Sequence, residues 1–135
     1  MTDFPITIYH NPDCGTSRNT LALIRAAGYE PEVVEYLQSG WTPALLDELV
    51  SATGLTAREL LRDKGTPAAE LGLLVSGASD SAILKAMVDH PVLVNRPIVK
   101  TPKGVRLCRP SEEVLPLLDR QPDHFVKEDG AVVIP

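Results

Sequence analysis

The sequence predicts an α/β fold in two halves with helices between them, and three observations carry that reading. The N-terminal end reads as strand, loop, helix, strand; the middle third has helical spacing and helix caps; the C-terminal third contains a β-hairpin followed by a short helix.

The first element is the strand Ile6-Thr-Ile-Tyr-His10, followed by the turn residues Asn11-Pro12-Asp13 and a helix from about Thr16 to Ala27 closed by Gly28. Pro31 restarts the chain, and Glu32 to Leu37, with its β-branched and aromatic residues, reads as a second strand. Strand, helix, strand at this spacing is a parallel βαβ unit. Thr42-Pro43 starts the next helix, Leu45, Leu46, Leu49 and Val50 keep helical spacing, and Gly54 ends it. Thr56 caps a short helix carrying Arg58, Leu60, Leu61 and Arg62, and Ser79 or Asp80 opens a third running to about His90. Between these two, Gly65 to Gly77 is expected to be irregular or briefly helical.

After Pro91 the texture becomes that of a hairpin: Val92 to Thr101, the turn Pro102-Lys103-Gly104, then Val105 to Arg109. Ser111-Glu112-Glu113 starts a last helix to about Asp119, and residues of about 120–135 read as a polar tail with one apolar patch, Ala131 to Ile134. The order predicts a thioredoxin-like fold with a helical insert, about 42–90, between the N-terminal βαβ and the C-terminal hairpin plus helix. At 135 residues the chain is expected to form one domain, 1–135.

Composition narrows the function classes. With 44% hydrophobic and 23% charged residues the chain has the makeup of a globular protein with a packed core. A net charge of -5 and a pI near 5.1 argue against nucleic acid or an anionic membrane as a broad-surface partner. An anion would have to be held by a local cluster of positive groups. No apolar run approaches the roughly 20 residues that a spanning helix needs, and Met1-Thr-Asp-Phe-Pro lacks the regions of a signal peptide, so a cytoplasmic location is expected. The two cysteines, Cys14 and Cys108, form neither a CxxC motif nor a metal-ligand pair, so no metal site and no disulfide framework is expected.

Cys14 stands at the mouth of the first helix in His10-Asn-Pro-Asp-Cys-Gly-Thr-Ser-Arg18. There the unsatisfied N–H groups and positive end of the helix favour thiolate over thiol, and Arg18 one turn on adds positive charge. Gly15, Thr16 and Ser17 supply small or hydroxyl-bearing residues to cradle an oxyanion. Asp13 opposes this with a carboxylate beside the sulfur. His10, at the strand end, is placed to fold back toward Cys14 as a proton partner or a positive neighbour, or else to hydrogen-bond locally. His90 and His124 have no partners and read as surface residues.

The hairpin supplies the second signal. With Thr101 to Gly104 as its turn, Arg96 falls opposite Arg109 on one face while Cys108 points to the other. Opposed like charges are destabilising unless an anion sits beside them, the alternative being two solvated arginines at the hairpin base. Arg58 and Arg62, on one helical face, fit either an anion site or surface pairs to Glu59 and Asp63. Arg96-Pro97 is open to a cis bond, although trans is the default for an X-Pro bond without context.

Four stretches, Ile6-Thr-Ile-Tyr-His-Asn-Pro-Asp-Cys-Gly-Thr-Ser-Arg-Asn-Thr-Leu21, Leu60-Leu-Arg62, Asn95-Arg-Pro-Ile-Val99 and Arg106-Leu-Cys-Arg-Pro110, resemble in order the glutaredoxin-coupled arsenate reductase (ArsC) family. The resemblance covers nearly the whole chain. It implies a thioredoxin-like fold, Cys14 as nucleophile, Arg62, Arg96 and Arg109 as oxyanion ligands, and His10 and Ser17 as aids to the thiolate. It also implies arsenate and glutathione as substrates, glutaredoxin as the protein reductant, and no tightly bound cofactor. A single nucleophilic thiol without a neighbouring CxxC partner fits a second thiol supplied from outside. Phosphatase-like arsenate reductases place an arginine six positions after the cysteine, whereas position 20 here is Thr. A redox-responsive regulator of the Spx type senses oxidation through CxxC, whereas Ser17 stands where the second cysteine would be. The remaining alternative is a relative acting on a different thiol-linked substrate.

Overall fold

The computed structural model describes residues 4–135. The Met1 to Asp3 start, read above as lacking a signal sequence, lies outside them. The described chain divides into two compact units: residues up to Glu35 together with Arg96–Pro135, and Tyr36–Asn95.

In the first unit, β1 (Thr7–His10) is one of the two inner strands of a four-stranded sheet, which explains why its apolar residues are buried on both faces. It runs parallel to β2 (Glu32–Glu35), with Thr7 opposite Glu32 and His10 opposite Glu35. On its other side it is antiparallel to β3 (Ile98–Thr101), which pairs with β4 (Gly104–Leu107), giving the order β2-β1-β3-β4. This is the thioredoxin-like arrangement that the element order predicts. The βαβ crossover is α1 (Gly15–Ala26), whose buried face carries Ser17, Thr20, Leu23 and Ile24. Leu23 and Ile24 pack with Ile8, Val99, Cys108, Val114 and Leu117 in the core, while the small polar Ser17 and Thr20 occupy the N-terminal part of the same face. Gly28, at φ 95°, ends the helix in the left-handed region, and the next N–H, of Tyr29, closes back on the Ile24 carbonyl at 3.2 Å.

The hairpin register is the predicted one, Thr101 opposite Gly104 and Ile98 opposite Leu107, but the ladder is shorter than the sequence reading. Residues Pro91–Leu93 form a 3-10 turn instead of strand. Arg96-Pro97, which the sequence left open between cis and trans, is cis, as is Arg109-Pro110; the small cis–trans gap of an X-Pro amide lets tertiary context choose. The last helix is also corrected: Ser111–Leu117 is a 3-10 helix with Pro116 inside it, because proline has no N–H for an i→i−4 bond. The polar tail is in fact a second hairpin, β5 (Phe125–Val126) and β6 (Val132–Ile134), turned at Gly130. Phe125 joins the core and Val133 packs against it, so burial of two residues holds strands too short for periodicity to reveal.

In the second unit, Tyr36 and Leu37 start α2 (Tyr36–Ser39) instead of continuing β2; Tyr36 is buried and stacks on Trp41 with ring centroids 5.0 Å apart. Thr42 caps α3 (Pro43–Thr53) by accepting the Leu45 N–H, and Gly54 ends it in the left-handed region. Thr56 and Glu59 form a capping box on α4 (Ala57–Leu60), and Ser79 caps α5 (Asp80–Asp89), which packs against α3 and α4 through buried Ile83 and Met87. The 65–77 stretch is irregular, as expected, and Arg58 holds its end by donating to the Val75 and Ala78 carbonyls at 3.0 and 2.8 Å. No described helix is long and apolar enough to cross a membrane.

Candidate active site

The loop that carries Cys14 is shaped by its own residues. Buried Asn11 accepts the Asp13 N–H on Oδ1 at 2.9 Å, and its carbonyl accepts the Cys14 N–H at 3.1 Å. This tight Asx turn delivers Cys14 to the N-cap of α1, its backbone extended and its carbonyl accepting the Arg18 N–H at 3.0 Å. Asn11 is a site-shaping residue that the sequence reading noted only as part of a turn; Asn-Pro before a helix start is the signal that points to it. Asp13 is exposed on this loop.

Behind the loop lies a buried polar pair. His10 Nδ1 and Ser17 Oγ are 2.6 Å apart, and the Asn11 N–H donates to the same Ser17 Oγ at 3.1 Å. The hydroxyl thus ties the imidazole to the backbone that enters the Cys14 loop. Burial lowers the His10 pKa, with Arg25 and Arg18 adding to the effect and Glu35 opposing it.

The Cys14 thiol is 9% exposed. Burial pushes its pKa up, but the Ser17 backbone N–H and the guanidiniums of Arg96 and Arg109 outweigh this and bring it from 9.0 down to about 7. Arg109 Nη1 donates to Cys14 Sγ at 3.6 Å and also to the Arg96 carbonyl at 2.8 Å. The two arginines just beyond the hairpin ladder thus converge on the sulfur. A thiolate near neutral pH, flanked by two guanidiniums and a helix N-terminus, can attack an electrophilic oxyanion while the same groups hold its oxygens.

The other predicted residues stand as follows. Arg62 belongs to the second unit and is not on a shared helical face with Arg58, since α4 stops at Leu60. Leu61 bridges Val94, and the Arg62 N–H donates to the Leu93 carbonyl at 2.7 Å, so Arg62 lies on extended chain after the helix. Arg18, expected to add charge at the thiol, forms a two-pronged pair with Glu128 of the C-terminal hairpin, its Nε 2.9 Å from Oε2 and its Nη2 3.1 Å from Oε1. Glu128 was invisible to local sequence reading. Cys108 points away from the arginines into the core, where burial pushes its pKa up to about 12. His90 and His124 are exposed. No group of three or more His, Cys, Asp or Glu among the described residues is placed to hold a metal ion.

Known proteins resemble this chain over nearly its whole length. The arsenate reductase ArsI1 of Synechocystis sp. is 61% identical, with 99% of this chain and 94% of that protein covered. Arsenate reductases of Rhizobium meliloti and Escherichia coli K12 are 57% and 51% identical, each match covering 96% of this chain and 93% or 92% of the relative. Among solved structures, an arsenate reductase from Vibrio cholerae superposes with a TM-score of 0.81 at 40% identity, covering 87% of this chain and 100% of that one. The model of the ArsC family matches residues 9–117, a span that runs from the end of β1 through the Cys14 loop to the last 3-10 helix, and the chain belongs to that family.

Proposed function

We propose that this protein is an arsenate reductase in which the Cys14 thiolate is the nucleophile and glutathione and glutaredoxin supply the electrons. The observation that carries the reading is the meeting of Arg109 Nη1 with the acidified Cys14 sulfur at 3.6 Å, in a chain 51–61% identical over nearly its whole length to arsenate reductases.

The reaction balances as follows. Cys14 Sγ attacks arsenic(V), an S–As bond forms, and one arsenate oxygen leaves as water after taking up protons. The thiol of glutathione then replaces a second oxygen, again lost as water, giving an arsenic bonded to both sulfurs. A glutaredoxin thiolate attacks the glutathione sulfur; the S–As bond breaks, its electron pair reduces arsenic to arsenic(III), and a glutaredoxin–glutathione disulfide forms. Water hydrolyses the remaining Cys14–arsenic bond, releasing arsenite and restoring the thiol. Two thiols are oxidised for the two electrons that arsenic gains.

Arg96 and Arg109 hold arsenate oxygens and stabilise charge as the adduct forms; Arg62 is assigned as the third guanidinium on the strength of the Leu60-Leu-Arg62 resemblance. Ser17 supports the thiolate through its backbone N–H, and His10 fixes the Ser17 side chain. A glutathione-dependent reaction fits a thiol-reducing compartment, which supports the cytoplasm as the location. The test is arsenate-dependent NADPH oxidation in the presence of glutathione, glutaredoxin and glutathione reductase. Turnover by the native protein that disappears in Cys14→Ser is expected; a native protein without turnover would leave an ArsC-fold thiol protein with another substrate.

A further inference from the structure

The C-terminal hairpin reaches the nucleophile loop through one pair of charges. Arg18 spans the loop and the hairpin: its Nη1 donates to the Pro12 carbonyl at 2.8 Å, on the chain entering Cys14, while its Nε and Nη2 meet both carboxylate oxygens of Glu128. Glu128 is fixed in turn, because its N–H donates to Asn19 Oδ1 at 3.0 Å and its neighbour Lys127 pairs with Glu112 at 2.7 Å. The pair lies against the first residue of α1: a Cβ added to Gly15 would sit 3.6 Å from Arg18 Nη2 and 3.9 Å from Glu128 Oε1. A guanidinium one helical turn from the nucleophile is thus matched, charge for charge, by a carboxylate from the far end of the chain.

We propose that Glu128 is a positioning residue that sets the net charge at the rim of the Cys14 site, holding the Arg18 guanidinium in a neutral pair and so limiting how strongly the site draws anions. The inference rests on Cys14 lying in an oxyanion site, as proposed above. The charged groups facing the sulfur on its own side of the molecule are Arg96 and Arg109, with Arg18, Glu128 and exposed Asp13 around the helix mouth. Arg96 and Arg109 act on the thiolate directly. The Arg18–Glu128 pair contributes nearly nothing while intact and a full charge of either sign when one partner is removed. Such a rim would let a non-reactive tetrahedral anion leave more readily than a further unpaired cation would allow.

The test reads charge discrimination at the sulfur without arsenate. The rates at which Cys14 is alkylated by anionic iodoacetate and by neutral iodoacetamide are measured in the full chain, and their ratio cancels the fraction of thiolate. Glu128→Gln is expected to raise the ratio about two- to five-fold at low salt, with the difference fading as ionic strength rises. Arg18→Gln is expected to lower it by a similar factor, and the double variant Arg18→Gln/Glu128→Gln to return to the native ratio. Circular dichroism reports whether each variant folds; if Glu128→Gln does not, Arg18→Gln carries the same test with opposite sign. A ratio that stays at the native value in a folded single variant, or a shift that survives in the double variant, overturns the proposal. Either result is independent of arsenate turnover in the native protein, so the failure of this inference and of the reductase reading can be told apart.

Discussion

Cys14 and Cys108 are both thiols shut away from solvent, 9% and 0% exposed, in the same unit of one small protein, and their acidities are driven in opposite directions. Burial raises the pKa of both. At Cys108 burial dominates, the charge of Arg106 being partly offset by Glu113, and the thiol rises to about 12. At Cys14 the same penalty is overcome by the Ser17 N–H and two guanidiniums, and the thiol falls to about 7. A buried cysteine is thus reactive or inert according to what else is buried with it. Cys108 sits one residue from Arg109, yet the chain leaving β4 sends the arginine to the sulfur of Cys14 and the cysteine into the core.

The largest expected effect separates the two thiols by function. Cys14→Ser should lower arsenate reduction by on the order of 10⁴-fold or more, whereas Cys108→Ala should keep it, both measured in the coupled assay. Loss of turnover in Cys108→Ala in a folded protein would break the comparison by giving the core thiol a chemical role.

Next come the groups that make Cys14 different. Arg109→Gln and Arg96→Gln should each reduce kcat/KM by about 10²- to 10³-fold, and each should move the midpoint of the alkylation pH profile from about 7 toward the ordinary 9.0. An unchanged midpoint would mean that the Ser17 N–H and helix terminus alone acidify the thiol.

In the native protein, iodoacetamide should label Cys14 at a rate that climbs through about pH 7 and then levels, while Cys108 stays unlabelled until denaturant is added. Peptide mapping after labelling distinguishes the two sites. Labelling of Cys108 without denaturant would show that its part of the core opens locally.

The smallest effects concern stability, and their signs are opposite. The depressed Cys14 pKa means that the unfolded chain binds the extra proton between about pH 7 and 9, so this thiol's contribution is complete above 9 and is lost as pH falls through about 7. The raised Cys108 pKa means that the native state keeps a proton the unfolded chain gives up above pH 9, so stability falls as pH rises from 9 toward 12. Urea titrations across this range should show the rise absent in Cys14→Ser and the alkaline decline reduced in Cys108→Ala.

Much of the first unit was legible because its rules are local. The Asn11-Pro12-Asp13 turn and the start of α1 follow from residues within one turn of each other, and the Thr101–Gly104 turn fixes a register that puts Arg96 opposite Arg109. In the second unit, the caps at Thr42, Thr56 and Ser79 likewise announce their helices. The errors fell where longer-range burial decides. Tyr36 has a strand former's side chain but turns into a helix where it can stack on Trp41. Helical spacing suggested a common face for Arg58 and Arg62, but Leu61 is drawn out of the helix to pair with Val94. The two short strands of the tail exist because Phe125 and Val133 reach the core.

The sequence by itself determined the order of elements, the capped helix that carries Cys14, and the hairpin that faces two arginines, because each depends on residues a few positions apart or on a turn of known geometry. Tertiary structure decided that Arg18 is paired with Glu128 from 110 positions away, that the His10 ring meets the Ser17 hydroxyl, and that one buried thiol is acidic and the other inert. Those outcomes are set by burial and by charges brought together from distant parts of the chain, and neither quantity exists until the chain has folded.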